Sequence, residues 1–205
     1  SGNRAPPPPG AAAARGAGEV GRQVNSPALK EWGAAVQALL DGRQTVLLRK
    51  GGIGEKRFEV SAPEFVFFPT VEHSHAQRVR PEFTDLLNRA AGDSTDTEVV
   101  VRGGAKVVAA VAVERPEQLD AIADLHIWTA ESVQNDRLDF RPRHRLTVLV
   151  VQAKPLVAPV RLPRTPDYAG CRSWVELPVT PEWGSPVHDD AALAAVAQRV
   201  RDSVG

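Results

Sequence analysis

The 205-residue chain has no methionine, one cysteine and one tyrosine, and its formal charge sums to zero. A single cysteine excludes an internal disulfide framework and suits a reducing, cytoplasmic setting. No apolar run approaches the roughly 18 residues a membrane span needs, and no secretory leader is visible, so no membrane partner is expected. With 25 basic against 25 acidic side chains, net charge points neither to nucleic acid nor to a lipid surface. The lack of methionine makes Val24 a candidate alternative start, with an extension upstream.

What is present describes a globular chain: 42% hydrophobic and 24% charged residues are enough for a packed core. The basic residues comprise 20 Arg and only 5 Lys, and Ala, Val, Gly and Pro are abundant. That bias fits GC-rich bacterial coding, so local clustering says more than the arginine count. Arg43, Arg49, Lys50, Lys56 and Arg57 stand against Glu55 alone, and eight basic residues between Arg137 and Arg172 face only Asp139 and Asp167. Such clustering predicts a basic face on a protein of neutral charge.

Residues 1–24 carry the Pro6 to Pro9 run, the Ala11 to Ala14 run and almost no large apolar side chain. They are expected to be a disordered extension or an appended leader, because they cannot bury enough surface to offset the entropy of ordering. Residues 25–205 are expected to form a single α+β domain. Ser26 and Pro27 read as the cap and first turn of a helix carrying Ala28, Leu29, Trp32, Val36 and Leu39, stopped by Gly42. Strands are predicted at Gln44 to Arg49, Glu64 to Phe68 and Leu146 to Val151, and at Arg172 to Leu177. Glu98 to Val101 and Lys106 to Val113 read as a hairpin across Gly103-Gly104. Helical segments are predicted over 75–91, after Pro116, after a Thr129 cap, and from Asp189 to Val200, while the prolines of 155–167 require extended or turning chain. Helices placed irregularly among strands favour a mixed sheet or a partly closed β-barrel flanked by helices.

Several stretches resemble a bacterial family of uncharacterised proteins, domain-of-unknown-function family 1802. They are Ala28-Leu29-Lys30-Glu31-Trp32, Leu47-Leu48-Arg49-Lys50-Gly51-Gly52-Ile53, Phe65 with Phe68-Pro69-Thr70, His126-Ile127-Trp128-Thr129 and Gly170-Cys171-Arg172-Ser173-Trp174-Val175. The segment Gly42 to Arg49 also resembles, faintly, the Gly-x-Lys-x-x-Glu-x-Arg motif of the ASC-1-homology branch of the PUA-like superfamily. Gly42 and Arg49 match, while Gln44 and Leu47 hold the Lys and Glu positions. That resemblance implies a PUA-like barrel, and Leu47 removes the carboxylate a catalytic version would use, which favours binding over chemistry.

Four places invite a site. Arg49-Lys50-Gly51-Gly52 leaves a strand with two cations and two small residues, so backbone N–H groups and a guanidinium can meet an anion there. Strand alternation should send Arg49 and Lys50 to opposite faces, so only one is expected to touch a ligand, and Arg49 is expected to be removable with little effect on folding. His126 and Trp128, near Thr129 and Glu131, join a titratable ring to an indole, either as an oriented acid–base group or, as we favour, as packed core. His73 and His75 are weak metal candidates. Asp139, Gln152 and Lys154 are a weak nuclease-like set. Cys171, beside Arg172, is expected to be a buried small residue rather than a nucleophile.

The leading expectation is therefore a nucleic-acid- or nucleotide-binding protein that meets a phosphate-bearing ligand through Arg49, Lys50, Gly51, Gly52, His126, Trp128, Arg137 and Arg172. It needs no cofactor. A metal-dependent hydrolase or nuclease is the alternative, and an adaptor in a protein assembly is the next.

Overall fold

The computed structural model describes residues 24–51 and 57–205. The extension expected over residues 1–24 therefore lies, but for Val24, outside the described residues, as does Gly52.

Among the described residues six strands make one mixed sheet. They are β1 (Ser26–Trp32), β2 (Val46–Lys50), β3 (Glu64–Thr70), β4 (Glu98–Ala112), β5 (Leu146–Pro163) and β6 (Trp174–Leu177), and their spatial order is β2-β5-β4-β3-β1-β6. The β1–β3 pair is parallel and every other pair is antiparallel. Among the described residues four α-helices, α1 (Gly33–Leu40), α2 (Thr84–Ala90), α3 (Ala130–Val133) and α4 (Asp190–Val204), flank it together with 3-10 segments. The fold is α+β, and the sheet does not close: β2 and β6 are its two edges and do not pair. The mixed-sheet expectation holds, and the partly closed barrel gives way to an open, curled sheet.

The curl comes from β4 and β5, strands of 15 and 18 residues that pair along most of their length. Register shifts fall between Val101 and Gly103 and between Val107 and Ala109. Extra residues at such irregularities bend a strand and increase its twist. Gly103-Gly104 was expected to turn a hairpin and instead lies inside β4. A Cβ on Gly104 would come within 2.0 Å of Phe65 O, and one on Gly103 within 2.6 Å of Lys154 O, so the pair exists to let three backbones approach. Consecutive glycines satisfy a turn and a close approach equally well, and only the partner strands decide.

The first predicted helix is also corrected. Ser26–Trp32 is a strand, and the helix begins only at Gly33. Leu29 packs in the main core while its neighbour Ala28 packs in a second cluster with Val66, Phe68 and Leu177. A strand buried on both faces has no alternation to betray it, and a short apolar run fits either period. Ser26 does not cap; its Oγ donates to Val179 O at 2.6 Å. Gly42 does stop α1, at φ 83°.

The main core lies inside the curl, where Leu39, Leu47, Phe65, Phe67, Leu86, Ile122 and Leu149 are fully buried. Each such side chain stabilises the fold by about 1.5–3 kcal/mol relative to exposure. The segment expected as one helix over 75–91 is broken into 3-10 turns at His73–Gln77 and Pro81–Phe83 before α2. Pro116–Leu125 is 3-10 helix, with Ile122 off helical geometry. Thr129 caps α3 by accepting from Ser132 N at 3.1 Å, and Asp189 caps α4 by accepting from Ala192 N at 2.7 Å. Helix α3 continues into a π-helical turn, Gln134–Asp139. No helix among the described residues is long and apolar enough to cross a membrane.

Candidate functional site

Where the sheet fails to close, side chains bridge the gap. Strand β2 is separated from β1 by three strands in the sheet, yet Arg49 of β2 reaches β1. Its Nη1 donates to Lys30 O at 3.0 Å and to Glu31 Oε2 at 2.9 Å, and its guanidinium lies 5.0 Å from the centre of the Phe58 ring. Glu31 is 2% exposed, and its other oxygen accepts from Trp32 N at 3.1 Å. A carboxylate this deep is tolerable only when paired and hydrogen-bonded, which makes Arg49 a structural partner as much as a surface cation.

Beside this bridge is a cleft of about 560 Å³. Among the described residues its lining includes Arg49, Lys50, Arg78, Arg137 and Arg141, against the carboxylates of Glu31 and Asp136. Trp32, Gly51, Asn135, Phe140, Cys171 and Ser173 complete most of the wall. Cations gathered in a concave, partly dehydrated wall focus positive potential on whatever enters.

Arg137, on the π-helical turn, is the deepest of these cations, with 11% of its side chain exposed. Its guanidinium lies 5.2 Å from the centre of the Trp32 ring and 4.9 Å from that of Trp128. Contacts of that kind stabilise a cation by about 0.5–2 kcal/mol each. Each indole is itself backed by an imidazole, His75 stacked on Trp32 at 3.9 Å and His126 tilted against Trp128 at 5.3 Å. Among the described residues Arg137 makes one hydrogen bond, from Nε to Leu48 O at 3.3 Å, and its Nη1 stands 4.0 Å from Asp136 Oδ2. That carboxylate oxygen is closer to Arg78 Nε, at 3.1 Å. A guanidinium has five N–H donors and stays charged, so the four donors on the Arg137 Nη atoms are left without hydrogen bonds among the described residues, at the wall of the cleft. Burial pushes the Arg137 pKa down from its ordinary value, with Glu31 and Asp136 acting against the shift.

The two imidazoles are held neutral. Burial takes the His126 pKa to about 3, helped by the nearby Arg80 and Arg137 charges, and takes that of His75 to about 4 against the pull of Glu72. His126 Nδ1 accepts from Trp128 N at 3.1 Å and is 3% exposed. The packed reading of His126 describes its place better than the acid–base one, since no carboxylate among the described residues hydrogen-bonds its ring. Trp128 is 1% exposed, and its Nε1 has no partner among the described residues. Both residues underlie the cleft by supporting Arg137.

Lys50 lines the same cleft as Arg49 rather than the opposite face. Its ammonium donates to the carbonyls of Leu138, at 3.4 Å, Phe140 and Arg141, at 2.9 Å. Burial pushes its pKa down, with the Asp139 carboxylate acting against that shift. These carbonyls close the helical segment, where acceptors lack intrahelical partners and a cation is favourable. Arg141 follows at φ 50°, the one non-glycine at positive φ among the described residues. That conformation costs an ordinary residue about 1–2 kcal/mol, and Lys50 offsets it locally. The turn presents Phe140, 54% exposed, with the Arg141 guanidinium 4.9 Å from its ring centre.

The other expected site residues go elsewhere. Arg172 donates to Asp167 O at 2.7 Å and lines a separate shallow pocket with Tyr168 and Glu176. The basic residues between Arg137 and Arg172 do not form one face: Arg145 pairs with Glu114, Lys154 with Glu64 and Arg161 with Glu98 along β5. His73 is exposed and His75 is buried under Trp32, and the described residues hold no group of three or more His, Cys, Asp or Glu placed for a metal ion. The nuclease-like set is scattered, with Asp139 accepting from Gln134, Gln152 donating to Asp190, and Lys154 held by Glu64. Cys171 is exposed, against the expectation of burial, and sits in the cleft wall. Sequence reasoning missed Arg78, Arg141, Phe140 and the cleft role of Trp32. Of these, Trp32 carried a signal as part of the motif Ala28 to Trp32, and Arg141 as one of the eight clustered basic residues between Arg137 and Arg172.

The family model described as "Domain of unknown function (DUF1802)" matches residues 28–199, and the chain belongs to that family. None of the curated proteins matches it. Among solved structures it is similar to ASCH from Zymomonas mobilis, at 16% identity over 63% of this chain and 71% of that one, with a TM-score of 0.38. A point mutant of the same protein aligns over 84% of this chain and 94% of that one, at 14% identity and a TM-score of 0.40.

Proposed function

We propose that the cleft binds a phosphate-bearing ligand, a nucleotide or a stretch of nucleic acid, as a binding site without chemistry of its own. The observation that carries this reading is Arg137: a guanidinium set against two indoles in the cleft wall, with its Nη donors unspent among the described residues and open to whatever enters. Donors that the protein leaves free at a cleft wall can meet an oxoanion with short, charge-assisted hydrogen bonds. Arg78, Arg141 and Arg49 add charge around it, and a cleft of about 560 Å³ is within the range of small-ligand sites.

The test is equilibrium binding of a fluorescein-labelled single-stranded oligonucleotide, and of labelled ATP, at low and physiological salt. Affinity is expected to fall steeply with salt as phosphate contacts are screened. Arg137→Gln is expected to weaken binding at least tenfold, the loss of a hydrogen bond to a charged group. Binding that ignores salt, or that survives Arg137→Gln intact, contradicts the reading.

A further inference from the structure

Resting on the proposed reading, we infer that the turn Leu138–Arg141 is the half of the cleft that takes the flat base of a nucleotide unit, and that Lys50 is the positioning residue holding it. Three independent observations meet there. Phe140 is 54% exposed although it lines a concave wall, so among the described residues of that wall its ring is the most exposed large apolar side chain a ligand can meet. The backbone beside it is in a conformation that only an external hold maintains in a non-glycine residue, at Arg141 φ 50°. The hold is visible: the Lys50 ammonium spends its donors on the carbonyls of Leu138, Phe140 and Arg141.

Lys50 therefore has no donor to offer an anion, although it stands beside Arg49 in sequence and in the cleft. It acts on a ligand through Phe140 and Arg141. Arg137 supplies the anion contact and Phe140 an aromatic face in the same cleft, a pairing that suits a phosphate joined to a flat ring and does nothing extra for a bare polyphosphate. Stacking on an aromatic side chain tolerates any base, so the site is expected to prefer nucleotide units over other anions without choosing strongly among bases.

Two ligand pairs of similar charge test this: ATP against inorganic tripolyphosphate, and a short single-stranded oligonucleotide against an abasic phosphodiester of the same length. Phe140→Ala is expected to weaken the base-bearing member of a pair about tenfold and to leave its base-free partner unchanged. The pair that shows this dependence tells whether the ligand is a free nucleotide or nucleic acid. Lys50→Met is expected to give the same selective loss, the double variant to be no worse than Phe140→Ala, and Lys50→Arg to stay within about threefold of wild type, since it still reaches the carbonyls. If Lys50→Met does not fold, Lys50→Gln replaces it and is expected to give a smaller loss of the same selectivity. Equal losses for base-bearing and base-free ligands, or no loss in Phe140→Ala, overturn the inference while leaving the cleft reading standing if Arg137→Gln still weakens both. A wild type that binds none of the four ligands overturns both.

Discussion

The cleft and the β5 ladder hold the same kind of residue in opposite circumstances. In β5 and at the residue before it, three cations are exposed or half-buried and paired with a carboxylate: Arg145 with Glu114, Lys154 with Glu64, Arg161 with Glu98. In the cleft, Arg137 lies against two indoles, mostly shielded from solvent, and keeps most of its donors free among the described residues. The ladder arginines are neutralised where they stand, and surface pairs of that kind contribute about 0–1 kcal/mol. A site is marked by what a cation has not yet bonded, and no count of charges along a chain reports that.

Three substitutions or conditions sharpen the contrast, in falling order of effect. Arg49→Ala removes the partner of a carboxylate that is 2% exposed, and breaking a buried pair from one side costs about 3 kcal/mol. Urea denaturation should show that loss, and Arg49→Met with Glu31→Gln should recover part of it. The structure thus revises the expectation that Arg49 can be removed without harm to folding; an unchanged midpoint would return it to the surface class of the ladder.

Next come the two imidazoles that back the indoles. Both have folded pKa values below the ordinary 6.5, so the unfolded chain binds protons first as the solution is acidified. Their contribution to stability is complete above about pH 6.5 and is lost as pH falls toward about 4 for His75 and about 3 for His126. The slope between pH 6 and 4.5 should approach about 1.4 kcal/mol per pH unit for each imidazole. Replacing His126 with Ala should flatten one share of that slope and cost about 1–3 kcal/mol at neutral pH, as loss of a packed core residue does. An unchanged slope would mean the ring is not held neutral.

Arg161→Gln should do least. Its pair with Glu98 is exposed, so thermal unfolding should move by less than about 0.5 kcal/mol equivalent, and oligonucleotide affinity should stay within twofold of wild type. A loss comparable to that of Arg137→Gln would shift the binding surface from the cleft to the ladder.

Much of the fold was legible where one signal dominated. The Val/Leu run of β5, the strands at β2 and β3, and the Asp189 cap of α4 each had local chemistry that agreed with their tertiary role. β1 was illegible because burial on both faces erases alternation, and Gly103-Gly104 because a turn and a three-backbone crossing ask for the same residues. Of the site, Arg49, Lys50 and Arg137 could be named from clustering, but not their roles. Lys50 bonds to carbonyls about ninety residues away. Arg78, Phe140 and Trp32 converge only after the sheet curls, and no spacing rule links positions brought together by curvature.

The central claim, that an anionic ligand sits against Arg137 rather than on the ladder, is tested most directly through the only cysteine of the chain. Cys171 is exposed and lines the cleft, so a thiol reagent reports occupancy of that wall and of nothing along β5. The account predicts that oligonucleotide or ATP at a concentration near the wild-type Kd slows Cys171 labelling about twofold in the wild type and in Arg161→Gln, and that the same concentration gives little protection in Arg137→Gln, whose site is then less than about one-tenth occupied. Ligand bound at saturation with no protection of Cys171, or protection that persists in Arg137→Gln, would contradict it.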